Sequence, residues 1–502
     1  MAIPTPRTAA EPIRPVEPPS ASRRWLVMGV LGTAQLMVVL DATIMNVALP
    51  SAQRALGMSD ADRQWIVTAY SLAFGSLLLL GGRISDLVGR REAFMLGLFG
   101  FAGASAVGGA SQSFAMLVSA RAAQGVFAAL LAPAALSLLT TTFTDPRERA
   151  KAFGIFGALA GSGAAVGLIL GGVLTSYVSW RWALYVNIGF AAVAFLGAVT
   201  LLPRVPRGDR PTLDIVGTLT ASGGLFCLVY GFSHAETDSW SNGLTIGFLV
   251  SAGVLLVLFA VLQTKVANPL LPPAILLDRD RGGSYLAVFV VGSGMFAVFL
   301  FLTFYLQTVM GFSPIRAGCA FLPMVACIIT VSQLANLVFL PKVGARLLIV
   351  VGLGITALAM TDWTTIDAHG DYLTEVMPGF ISMGLGLGLI FSPAIQGAIS
   401  GVNPRDAGVA SAMVNTMQQV GGSVGIALLS TIAGNATKNR LDGRPPTPTL
   451  MADAAAHGYA VAFWCSAGIL VGGAVLVGAL LRSGRPVRVG HGAGAADRAL
   501  TH

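Results

Sequence analysis

"GGRISDLVGRRE", Gly81 to Glu92, sets three arginines and two acids between long stretches without charge: residues 64–82 before it and 93–120 after it carry no acidic or basic side chain. About 20 mostly apolar residues cross a bilayer as a helix. The charged dozen therefore reads as a tight loop joining two membrane helices. Gly82 and Gly89 bracket Asp86 and allow both a sharp turn and close helix approach. Asp86 can accept from free backbone N–H groups at a helix start, where negative charge is favoured. Arg90 and Arg91 can anchor at lipid headgroups or meet acidic partners.

The rest of the chain agrees with that solvent. It has 502 residues, 55% hydrophobic and 11% charged, whereas a soluble domain carries about 25% charged residues. Walking along it yields fourteen candidate spans, grouped six, two, six. Residues 1–24, rich in Pro, Arg and Ser, read as a disordered tail, and the long apolar run that follows reads as a retained first span. Residues 25–203 form a first six-helix bundle, 204–265 a linker with two extra spans, 266–283 a loop, 284–481 a second six-helix bundle, and 482–502 a second tail. About 23 of the 31 basic residues fall in loops on one face, which the positive-inside rule makes cytoplasmic together with both termini. The basic excess thus reports membrane orientation, and no nucleic-acid partner is expected. The expected location is the cell membrane, crossed many times.

The opening loop has an echo. "NLVFLPKVGARLL", Asn336 to Leu348, follows the second span of the second bundle. Aligning Gly89 with Gly344 places Arg91 on Arg346 and Asp86 on Pro341. A duplicated six-helix bundle is the ground plan of many secondary transporters, with the substrate between the halves near the midplane.

"LDATIMNVALP", Leu40 to Pro50, places Asp41 in an uncharged run. At 1.5 Å per residue Asp41 lies roughly 13 Å below the end of its span, and Arg121 lies roughly 10 Å inside the fourth. An ionisable residue at such depth is functional by default. Two of opposite sign at one depth form a pair. The pair is either a proton site whose affinity depends on conformation or a static salt bridge that fixes packing.

At these residues the chain resembles a known family. "GGRISDLVGRRE", "LDATIMNVALP", "RAAQGVFAALLAP" (Arg121, Gln124, Gly125), "GALAGSGAAVGLILGGVLT" and "GVASAMVNTMQQVGGSVGIALLSTI" resemble, in order, the motifs of the fourteen-span drug:proton antiporters of the major facilitator superfamily. The resemblance implies an all-α integral membrane protein of the major facilitator fold, with fourteen transmembrane helices in two six-helix bundles plus two central spans. It implies proton-coupled efflux of an amphipathic drug, antibiotic or toxic metabolite by alternating access, giving resistance. Asp41 and Arg121 would carry proton coupling. Gly82, Asp86, Gly89, Arg90 and Arg91 would latch the halves during switching. Gly157, Gly161, Gly167, Gly171 and Gly172 would form a helix-packing seam sliding against the second half; ordinary membrane packing of small residues is the alternative. Two positions depart from the pattern: Leu168 and Gly189 stand where the family usually has Pro. They leave open a facilitator or importer of a small organic solute on the same fold.

Polar side chains in the spans are candidates for a substrate cavity: Gln124, Tyr305, Gln307, Asn415, Gln418 and Gln419. Such amides otherwise bond a neighbouring helix. The chain lacks a phosphate-cradling Gly-Lys-Ser/Thr loop and a cysteine or histidine cluster with metal spacing. The expectation is a secondary transporter, not an enzyme, with no cofactor and no metal, whose partners are a small-molecule substrate, protons and the lipid bilayer.

Overall fold

The computed structural model describes residues 21–202, 214–237, 239–266, 269–366, 370–402, 407–441 and 447–482. Both expected tails beyond these bounds lie outside the described residues. So do the side chain of Asp86 and the surroundings of Gly157 and Gly161.

The regular structure of the described residues is helical. The first half contains α1 (Ala21–Leu56), α2 (Asp60–Val88), α3 (Arg90–Gly109), α4 (Phe114–Thr142), α5 (Pro146–Tyr177) and α6 (Trp182–Leu201). A hairpin of α7 (Ile215–Thr237) and α8 (Gly243–Gln263) follows, then the short α9 (Pro273–Leu277). The second half contains α10 (Arg279–Phe304), α11 (Pro314–Ala320), α12 (Leu322–Leu334), α13 (Leu340–Asp362), α14 (Met377–Ile399), α15 (Ala407–Leu441) and α16 (Pro448–Leu480).

Local signals set the ends. Ser59 caps α2 in a reciprocal box: its hydroxyl accepts from the Asp62 amide, and the Asp62 carboxylate accepts from the Ser59 amide, both at 3.1 Å. Asp278 caps α10 through the amides of Asp280 and Arg281. Between these ends the helices are apolar nearly all round, as a helix in hydrocarbon must be.

Twelve helical segments among the described residues are long and apolar enough to cross a membrane, against the fourteen expected. The expected tenth and eleventh spans fall in one 51-residue stretch, Ile315–Thr365. That stretch turns at Gly344, whose φ of 80° and ψ of 165° are not helical. The expected fifth span lies in α5, whose stretch Val166–Tyr177 is apolar.

The structure carries the internal repeat further than the sequence does. Gly89 and Gly344 both hold positive φ, 111° and 80°, at the turn after the second span of each half. Helix pairings recur as well: α1 packs on α5 and α6, and α10 packs on α15 and α16. Glycines make these approaches close. A Cβ on Gly171 of α5 would meet the Ile44 backbone at 3.1 Å, and one on Gly421 of α15 would meet the Phe289 carbonyl at 2.2 Å. Small residues let membrane helices touch backbone to backbone.

Among the described residues, contacts between the halves and with the hairpin include the following. The Gly318 backbone of α11 abuts Leu168 of α5, Gly75 of α2 faces Gln419 of α15, and the α7–α8 hairpin packs on both α2 and α15. One end of the bundle is basic: Arg24 pairs with Glu148 at 3.1 Å, and Arg83 donates to the Pro269 carbonyl at 3.0 Å. At the other end Trp65 of α2 packs on Tyr230 of α7, and the Trp240 indole donates to Thr431 of α15 at 3.1 Å.

Candidate functional site: a buried ionic layer

The first half contains two apolar clusters with a polar layer between them. One cluster includes Val38, Phe74, Phe101, Ala128 and Ala191; the other includes Leu40, Ile44, Ile66, Leu117 and Leu184. Arg121, Gln124 and Asn187 fall between these along α4 and α6, Asp41 follows Leu40 at the edge of the second cluster, and Ser105 follows Phe101 of the first; each is at most 1% exposed.

Asp41 accepts three hydrogen bonds. Arg121 Nη1 donates to its Oδ2 at 2.6 Å. Gln124 Nε2 donates to Oδ1 at 3.0 Å, and Asn187 Nδ2 donates to the same oxygen at 2.6 Å. Gln124 also accepts from Arg121 at 2.8 Å and donates to Ser105 Oγ at 2.7 Å. The three donors, one guanidinium and two amides, match an acceptor-only carboxylate. The sequence-level depth match between Asp41 and Arg121 is a contact in the structure.

Both amides suit the acid in its other state. A protonated carboxyl is a donor and needs an acceptor. Turning either amide over presents its carbonyl oxygen to Asp41. Asn187 Oδ1 has no hydrogen-bond partner among the described residues, so nothing else holds that amide in place.

Other expected residues are placed as follows. Gly89 requires its glycine because φ is 111°. Gly82 lies against Pro133 of α4, while its neighbour Gly81 is the tighter contact, where a Cβ would sit 2.1 Å from the Ala129 carbonyl. Arg91 does not reach for headgroups: it is 9% exposed and donates to the Val199 carbonyl at the end of α6, 3.1 Å away. Gly163, Gly167 and Gly171 turn toward α1 within their own half. On α5 it is the Leu168 backbone that meets the second half, at Gly318. Gly172 is buried.

The candidate cavity residues are not brought together with Gln124, which is inside the ionic layer. Tyr305 is fully buried in the core of the second half, on a wider π-type turn, Tyr305–Val309. Gln307 shares that turn, and its Nε2 has no partner among the described residues. Gln419 lines a crevice between α2, α7 and α15, while Asn415 and Gln418 are half-buried on α15.

Sequence reasoning missed Asn187, Ser105 and Tyr70, whose ring lies under the Arg121 guanidinium at 4.5 Å. None carries a sign that marks it in an apolar run. Depth was the available signal: Asn187 follows Trp182, at the start of α6, by five residues, about 8 Å.

The Major Facilitator Superfamily model matches residues 31–426. The chain is 48% identical over 464 residues to the puromycin resistance protein of Streptomyces alboniger, covering 92% of each. It is 37% identical to the cephamycin export protein of Amycolatopsis lactamdurans, over 81% of this chain and 84% of that one. Its fold is similar to that of a bacterial homologue of the human lysosomal transporter Spinster, with a TM-score of 0.61 and 17% identity, over 93% of this chain and 98% of that one. A duplicated six-helix plan, a charged turn repeated in each half, and this match over most of the length make the chain a membrane transporter of the Major Facilitator Superfamily.

Proposed function

We propose that the protein exports an amphipathic antibiotic or toxic metabolite in exchange for protons, by alternating access across the cytoplasmic membrane, and so confers resistance. Both termini are cytoplasmic in this reading and the chain crosses fourteen times. The observation that carries it is the Asp41–Arg121 contact at 2.6 Å, wholly buried between apolar layers. Buried ion pairs are poor devices for stability alone, whereas an acid whose partner can move is a conformation-dependent proton site. The printed names of the two relatives, puromycin resistance and cephamycin export, support the cargo class.

Asp41 binds the proton, Arg121 responds to the lost charge, and Gln124 and Asn187 turn over to serve the neutral acid. The Gly82–Arg91 turn latches the halves, and Asn415, Gln418 and Gln307 face cargo when the halves part. The contacts between halves lie at mid-depth and toward the end opposite the basic one, which suits a molecule open toward its basic face. Coupling then requires that proton occupancy bias two conformations.

Everted membrane vesicles acidified inside test this. Puromycin and cephamycin are added separately and proton efflux is recorded. Substrate-evoked efflux from the parent protein, with a loss of about 100-fold or more in Asp41→Asn at equal abundance, is the expected result. An Asp41→Asn protein that still drives uphill export removes the proposal.

A further inference from the structure

Arg121 has four partners, and two of them sit on α2. Nε donates to the Ile66 carbonyl at 3.3 Å, and the guanidinium lies over the Tyr70 ring at 4.5 Å. The other two, Asp41 and Gln124, belong to the ionic layer itself.

The same stretch of α2 forms the contact with the second half. Ile66 and Tyr70 are buried on the Arg121 side. Val67, Thr68 and Ser71 line a narrow crevice shared with Ser233 of α7 and with Gln419 and Ser423 of α15. One turn further, a Cβ on Gly75 would touch the Gln419 side chain at 3.3 Å. At this level α4 and α2 also have no slack. A Cβ on Gly125, next to Gln124, would lie 2.4 Å from the Tyr70 carbonyl. A change at Arg121 therefore reaches α15 through a single helical turn.

We infer that Tyr70 is the second seat of the Arg121 guanidinium: when Asp41 is neutralised, the Tyr70 ring and the Ile66 carbonyl hold the cation, and α2 carries the change to its contact with α15. This rests on the proposal that Asp41 is the proton site. A desolvated guanidinium over an aromatic face is attracted by the ring quadrupole, and that attraction survives loss of the carboxylate charge. The groups facing the guanidinium among the described residues are Asp41 from α1, Gln124 from α4 and Tyr70 with the Ile66 carbonyl from α2. Asn187 from α6 and Ser105 from α3 face Asp41 and Gln124 and are neutral. The second charge-compatible surface is thus the ring. Tyr70 is a positioning residue, acting through Arg121.

The test needs no cargo. In the full-length protein, with its four native cysteines replaced by alanine, Ser71→Cys and Ser423→Cys are introduced on opposite walls of the crevice. Cross-linking yield in liposomes, divided at each pH by that of a reference cysteine pair within one helix to remove the pH dependence of thiol ionisation, is then read between about pH 5 and about pH 9, protons being the probe. The expected result is a yield that changes about threefold or more in the parent pair. It is flat with pH in Asp41→Asn and flat in Tyr70→Leu, and Tyr70→Phe, which keeps the ring, restores it. If Tyr70→Leu is not monodisperse, Tyr70→Met takes its place. A Tyr70→Leu or Tyr70→Met protein that keeps the parent response while Asp41→Asn abolishes it overturns the inference and leaves the proton site standing. An Asp41→Asn protein that responds like the parent overturns both, as does a parent pair whose yield ignores pH.

Discussion

The two halves repeat each other in backbone and diverge in chemistry. Both turn at a positive-φ glycine after their second span, Gly89 and Gly344, and both close their first and penultimate long helices around glycines. Yet the first half holds a carboxylate, a guanidinium and two amides in a buried layer. The second half contains no comparable ion pair among its described residues. Its buried polar groups at depth among the described residues are hydroxyls, Ser293, Thr303, Thr356, Thr416 and Ser466 among them. It also carries the π-type turns Tyr305–Val309, Ala335–Phe339 and Tyr372–Val376, while none occurs among the described residues of the first half. Such turns insert an extra residue and mark places where a helix can re-register. The difference teaches a division of labour: duplication kept a scaffold that both halves need, one copy took up the charge, and the other took up deformable helices.

The largest effect should come from breaking the charged layer in one half. Arg121→Ala leaves Asp41 buried without its partner and should cost about 3–5 kcal/mol. The loss is read as reduced thermal stability in detergent. The paired change Asp41→Asn with Arg121→Gln should recover most of that stability without recovering export. If the single variant melts like the parent, the layer is not the closed ionic site described here.

A smaller effect is expected at the repeated glycine seams. Gly167→Ala places a methyl 1.9 Å from Thr43 Oγ1, and Gly425→Ala places one 2.0 Å from the Ser293 carbonyl. Overpacking of this kind costs about 1–3 kcal/mol. Gly425→Ala should be the worse because it meets backbone, whereas Thr43 can rotate. Equal melting temperatures for the two would blur the comparison; the reverse order would break it.

The smallest effect tests the scaffold that the halves share. Gly89→Ala and Gly344→Ala each force an L-residue to positive φ, a strain of about 1–2 kcal/mol. Similar drops in melting temperature from the two would confirm a common turn. A cost at Gly89 alone would mean that the second copy is free to relax.

The sequence revealed the scaffold well because hydrocarbon demands it: uninterrupted apolar runs and charged loops leave little choice of fold. It revealed Asp41 and Arg121 for the same reason, since a charge in such a run is conspicuous. It did not reveal Asn187, Ser105 or Tyr70, because an amide, a hydroxyl or a ring in a span is common and its partner is set by helix rotation. Loop arginines were misleading in another way. Arg91 counts toward orientation like any other, yet its guanidinium is committed to the Val199 carbonyl, and Arg83 to the Pro269 carbonyl. Charge counts report which side a loop is on; they do not report which carbonyl a side chain finds there. The resemblance set the glycine stripe of α5 against the second half, with ordinary packing as the alternative; in the structure Gly163, Gly167 and Gly171 meet α1.

The apolar layers on either side of Asp41 also make it an electrode. Ions cannot approach it freely, so any membrane voltage falls partly across each layer. A full charge crossing the membrane gains about 2.3 kcal/mol per 100 mV, and under the proposed proton exchange a proton arriving at Asp41 would collect only a fraction of that. Its occupancy would then follow voltage as well as acidity, and the proposed pumping would slow in a depolarised cell even at a constant pH difference.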